Sequence, residues 1–200
     1  MRFSFGRGLS LASVSSLFVA LYSATLPAQE VVVQFDPVKT QVAFTLGDVL
    51  HTVHGEFKLK RGEIRFDPST GAASGSIVID ATSGNSGSNA RDGRMHKNIL
   101  ESKKYPEITF TAHHVKGQLP ASGEAQLEVE GTFNIHGADH PLTLAAKVKA
   151  NGGILDVQTH FQVPYVKWGM KNPSTFLLRV NDTVDIDIHG NARVQGPTGS

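Results

Sequence analysis

Hydrophobic and polar positions alternate along most of the chain after residue 40. Val42, Phe44 and Leu46 alternate with Gln41, Ala43 and Thr45. Phe57 and Leu59 alternate with Glu56, Lys58 and Lys60, and Ile64 and Phe66 with Glu63, Arg65 and Asp67. A period of two gives a β-strand one apolar and one polar face. Further strands are predicted at 74–81, 107–116, 124–136, 141–150, 154–163 and 183–194. Leu127, Val129, Gly131, Phe133 and Ile135 share one face, as do Leu142, Leu144, Ala146 and Val148. Turn signals separate the runs: Asp67–Gly71, Leu119–Gly123, His136–Asp139 and Asn151–Gly153. Eight or nine strands joined by short turns predict an antiparallel meander. One apolar face then requires the sheet to pack on another sheet or to close on itself.

One segment has a different period. Asn89-Ala-Arg-Asp92 reads as a capping box with Asp in place of Glu, and Met95 and Ile99 fall on one helical face. A helix is predicted over 90–101, weakened by Gly93, across the mouth of a barrel. The preceding Ser83–Asn89 stretch is a flexible approach to it.

Composition narrows the chemistry. The 200 residues contain no Cys, which removes disulfides, thiolate nucleophiles and Cys-ligated metal sites. Arg2 and Arg7, the apolar stretch Leu9–Leu21 and Leu26-Pro27-Ala28 read as a secretory signal peptide over 1–28. Residues 29–200 are then the mature domain, expected to be periplasmic or secreted and without a stable membrane anchor. The signal carries two of the 19 basic residues, so 17 basic face 18 acidic residues in the remainder. That balance argues against a nucleic-acid or anionic-membrane partner, because either needs a concentrated basic patch.

The polar candidates are weak as catalysts. Nine histidines include His51-x-x-His54, His113-His114 and His136-x-x-x-His140. On strands these spacings point side chains apart, and none has the helical spacing that presents two ligands on one face. A metal-assisted hydrolase or isomerase needs convergence through folding. No nucleophile elbow and no phosphate-cradling loop is present. Arg91-Asp92 reads either as helix-start electrostatics or as a polar headgroup contact. The phenylalanines fit either a filled core or a barrel enclosing one ligand. A filled barrel would instead be an interaction module.

Several motifs in order carry a resemblance over roughly residues 31–190. They are Val53-His-Gly-Glu-Phe57, Gly62–Asp67, Gly75–Asp80, Arg91-Asp92, Met95-His96, Leu100-Glu-Ser102, Tyr105-Pro-Glu-Ile-Thr-Phe110 and Gly131–Gly137. In this combination the chain resembles the YceI-like family of polyisoprenoid-binding proteins. The resemblance implies a mainly β fold: a lipocalin-like antiparallel eight-stranded barrel with one short helix near its mouth. It also implies a non-catalytic protein that binds, sequesters or transports an isoprenoid-type lipid, a polyprenyl chain or isoprenoid quinone, with no other cofactor. Phe44, Phe57, Phe66, Ile79, Met95, Ile99, Phe110 and Phe133 are the apolar tunnel candidates. Arg91, Asp92, His96 and Tyr105 are the polar mouth candidates. The loop Pro164–Pro173 is a feature of a subgroup and is expected at the rim. A homodimer is left open.

Overall fold

The computed structural model describes residues 30–47, 52–176 and 179–196, besides Met1. The signal peptide expected over 1–28 and its cleavage point lie outside the described residues.

Among the described residues nine strands form one antiparallel sheet: β1 (Val31–Phe35), β2 (Gln41–Gly47), β3 (Thr52–Phe66), β4 (Ala73–Asn85), β5 (Glu107–Lys116), β6 (Ser122–Ile135), β7 (Ala138–Asn151), β8 (Ile154–Val163) and β9 (Val184–Gln195). From β2 to β9 each strand pairs with its neighbour in the chain. Pairing of β2 with β9 closes the ring. The result is the eight-stranded antiparallel barrel that the resemblance implies; of the two arrangements that the alternation allows, the sheet closes on itself. β1 completes the stave occupied by β2: it pairs with the ends of β3 and β9 that β2 does not reach. The turn between them is tied by Asp36, whose Oδ1 accepts the Val38 amide at 2.9 Å.

The run read as two strands at 56–60 and 63–67 is one strand, β3. Its inward positions are odd through Leu59 and even at Gly62, Ile64 and Phe66. The register against β4 shifts between Leu59 and Arg61. One extra residue on β3 reverses the phase of the alternation, as a bulge must. β5 does the same after Ala112, so His113-His114 spans a bulge rather than two faces of a regular strand.

The helical segment is shorter than predicted. The α-helix α1 (Asn89–Arg94) passes directly into a π-helical turn, Met95–Ile99. Its N-cap is Ser88, which makes no side-chain cap, so the Asn89–Asp92 capping box does not form. Asp92 instead reaches back to Ser86: its Oδ1 accepts the Ser86 amide at 2.9 Å and the Ser86 hydroxyl at 2.5 Å.

The barrel interior is divided along its axis. At one end Val31, Leu59, Phe66, Val115, Leu127, Val148, Leu155 and Ala192 form a packed core. Between the ends, the Phe110 ring lies over Gly131 and the Phe35 ring over Gly190. A Cβ at Gly131 would sit 2.6 Å from the Phe110 ring, so even alanine would displace it. Beyond these rings, toward α1, the interior opens.

Candidate functional site

The open half is a cavity of about 450 Å³. Its wall comes from inward positions of every strand from β2 to β9 except β7: Val42, Phe44 and Leu46 on β2, Val53 and Phe57 on β3, Ile79 on β4, Ile108 on β5, Phe133 and Ile135 on β6, Phe161 and Val163 on β8, and Val184, Ile186 and Ile188 on β9. Phe44 and Phe57 lie with ring centroids 5.3 Å apart, and Phe133 meets Phe161 edge-on at 5.8 Å. Such pairs fix ring orientation as well as adding apolar area. The wall is therefore a consequence of the period-two pattern, because the barrel turns every inward position of these strand ends onto one space.

Two segments form the rim. One is the helical segment with its approach, which contributes Ser86, Ser88, Ala90, Arg91, Arg94, Met95 and Ile99. The other is the loop after β8, which contributes Tyr165, Met170, Pro173 and Val180. Arg91 and Arg94 are the cationic groups on this lining. Arg91 is held in place: its Nε donates to Ser86 Oγ at 2.7 Å and its Nη2 to the Ser86 carbonyl at 2.8 Å. Asp92 grips the same serine from the other side, so the Arg-Asp pair positions the approach to the helix. Hydrogen bonds to charged partners are the stronger class, which suits an anchor at a rim.

The polar mouth candidates separate on this geometry. Arg91 lines the cavity, whereas Asp92, His96 and Tyr105 do not. His96 is taken up by Ser102 Oγ at 3.1 Å and the Gly84 carbonyl at 2.9 Å. Tyr105 packs against the His136 ring at 4.7 Å and over Gly137. His136 in turn lies 2.7 Å from Glu101, and both residues have positive φ, 55° and 46°. This cluster ties the end of the helical segment to the β6–β7 hairpin, so these motif residues hold the rim rather than face the cavity.

The apolar candidates separate similarly. Phe44, Phe57, Ile79, Met95, Ile99 and Phe133 line the cavity. Phe66 and Phe110 do not; both are buried in the core. Phe66 pairs with Val31 at the packed end, and the Phe110 ring is directed over Gly131 toward that end. Alternation places both inside, but it carries no information about depth along the barrel axis. Sequence reasoning missed the β9 and β8 lining residues, although their alternation was visible. It also missed Arg94, which lies three residues from Arg91 on the helix.

Tyr165 closes the wall at the loop. It is buried, and its hydroxyl donates to the Asn181 carbonyl at 2.6 Å. Burial, with a smaller effect of the Asp182 charge, pushes its phenol up to about 12. The neutral phenol is favoured by folding, so this contribution to stability is full below the ordinary value of 10.0 and is lost as pH rises toward about 12. Titration of phenolate absorbance is expected to show a phase near pH 12 that the Tyr165→Phe variant lacks. A variant trace identical to the parent's would contradict this burial.

The histidines are dispersed. His54 meets Thr45, His113 meets Thr132, His160 meets Asp187, and His189 meets Asp156. His140 stacks on Trp168 at 4.0 Å. His51 lies outside the described residues. Among the described residues no three His, Asp or Glu side chains are grouped to hold a metal.

A family model for the YceI-like domain matches residues 34–192, from within β1 to within β9. The chain belongs to the YceI-like family. Protein YceI of Escherichia coli is 31% identical over 102 residues, covering 50% of this chain and 51% of that protein. A UPF0312 protein of Vibrio cholerae is 31% identical over 97 residues, covering 48% of this chain and 49% of its own. The aligned part of this chain thus spans about half the length of the curated relatives it matches. Among solved structures, BcnA of Burkholderia cenocepacia superposes with TM-score 0.65 at 23% identity, covering 78% of this chain and 98% of that one. A polyisoprenoid binding domain from Saccharophagus degradans, implicated in plant cell wall breakdown, gives TM-score 0.66 at 18% identity over 82% and 98% of the two chains. These likenesses establish the barrel fold for the YceI-like chain.

Proposed function

We propose that this YceI-like protein binds an isoprenoid-type lipid in its half-barrel cavity and performs no covalent chemistry. The observation that carries the reading is the cavity itself: about 450 Å³, walled by aliphatic and phenylalanine side chains and open beside α1. An isoprenoid chain has no hydrogen-bonding groups, so an apolar wall satisfies it completely. Removing a few hundred Å² of such a chain from water contributes on the order of 5–10 kcal/mol before association costs. The description of the Saccharophagus degradans neighbour as a polyisoprenoid binding domain supports the same class of ligand. Its polar end would meet Arg91, Arg94, Ser86 and Ser88, the polar groups on the rim. A polyprenyl compound and an isoprenoid quinone both meet these requirements. Sequestration or transport outside the cytoplasm is the role that a leader over 1–28 would give such a carrier.

The test is to purify the protein, extract it with organic solvent and analyse the extract by mass spectrometry. A stoichiometric isoprenoid is the expected result. Extracts free of lipid, together with failure of the emptied protein to take up an added isoprenoid quinone, would defeat the proposal.

A further inference from the structure

The near-zero net charge conceals a strong asymmetry. The two segments that rim the cavity, 86–105 and 164–183, hold eight basic and three acidic residues. The remainder of 29–200 holds nine basic against fifteen acidic. Arg91, Arg94 and Lys97 lie on the helical segment and Lys103 and Lys104 follow it. Lys167, Lys171 and Arg179 lie on the loop, and all eight side chains are exposed. None makes an ion pair with a described residue. Two of the three acids are occupied, Asp92 by Ser86 and Glu101 by His136. The two rim segments thus carry five more basic than acidic residues to the open end, where the neighbouring carboxylates are Asp139 in the β6–β7 hairpin and Asp185 and Asp187, which lie beside His160.

A second observation lies on the same rim. Phe176 is fully exposed, at 101%, and it falls between Pro173 and Val180, both on the cavity lining. Of the large apolar side chains exposed among the described residues, it is the aromatic one; Val38 and Ile154 lie elsewhere, in the β1–β2 turn and at the start of β8. Phenylalanine beside several cations is the composition of a segment that rests in the interface of an anionic bilayer. A filled site inside the protein would bury that ring, and a purely solvated loop gains nothing from it.

We propose that the cavity end docks reversibly on an anionic lipid bilayer, through the cations of the two rim segments and insertion of Phe176. Docked this way, the opening of the cavity faces the membrane. The inference concerns the surface alone and holds whether or not the cavity carries an isoprenoid.

The test is co-sedimentation of the purified protein with vesicles of phosphatidylcholine, or of phosphatidylcholine mixed equally with phosphatidylglycerol, in low and high salt. Binding is expected only with phosphatidylglycerol and is expected to be lost in high salt, because exposed charges are screened within a Debye length. The double variant Lys167→Glu/Lys171→Glu is expected to lower the partition coefficient by about tenfold or more. Phe176→Ser is expected to lower it by about tenfold. Lys147→Glu/Lys149→Glu, on β7 toward the packed end, changes net charge equally and is expected to retain binding. Thermal unfolding of each variant verifies that it is folded. Equal binding to both vesicle types, no binding to the anionic ones, or equal losses from the two double variants would overturn the proposal. Unchanged binding of Phe176→Ser would remove the insertion. Lipid extraction reads the cavity separately, so failure here and failure of the carrier reading are distinguishable.

Discussion

Ile186→Asp is expected to reduce affinity for an isoprenoid by roughly a hundredfold or more, because the ligand would bury an unpaired carboxylate. Ile186 sits on β9 opposite Phe44 of β2 and Phe161 of β8, and all three line the cavity. In the empty protein the cavity is open and water can reach the new carboxylate, so the fold loses little. Filling the cavity with hydrocarbon strips that water away. The penalty therefore falls on the bound state, which makes the position a probe of ligand placement rather than of folding. Ile186→Leu keeps volume and polarity and is expected to bind like the parent. Uptake of an isoprenoid quinone by the emptied variants, alongside their thermal unfolding, measures both effects. An aspartate variant that loads as fully as the parent would show that the chain lies elsewhere.

The second large effect belongs to the packed end. Phe66→Ala is expected to destabilise the protein by about 3–5 kcal/mol, the range for removing a buried phenylalanine. Phe66 is 4% exposed, in the core below the cavity floor. Its neighbours are fixed by strand pairing with β1 and β4, so they cannot collapse into the void. Phe57→Ala on the cavity wall is expected to cost less stability, since Phe57 is only half-buried and already borders open space. Urea unfolding of the two variants, with lipid uptake measured on each, separates a side chain that holds the barrel from one that shapes the site. A Phe66 variant as stable as Phe57→Ala would contradict the division of the interior.

The two phenylalanines show how far the sequence reaches. Both stand in period-two runs of β3, on either side of its bulge, and alternation reports only which face a side chain occupies. It cannot report height along the barrel, which depends on how far each strand is staggered against its neighbours. The same limit explains the motif residues at the mouth. Asp92, His96 and Tyr105 are polar residues in the right region, yet their partners Ser86, Ser102, Gly84 and His136 lie six to thirty-one residues away. Partners at that distance are chosen by the fold. Arg94 could have been found from Arg91 by helical spacing, because residues three apart share a face.

By itself the sequence determined the β content, the strand boundaries over most of the chain and the helical interruption. Local periodicity and turn chemistry are sufficient for these, since each is decided within a few residues. Only the tertiary structure decided that the interior is packed at one end and hollow at the other. It alone placed Phe35 and Phe110 as the floor between them and brought two distant basic segments to the open rim. Register, bulges and strand stagger set those relations, and they are properties of pairs of strands rather than of any one stretch of chain.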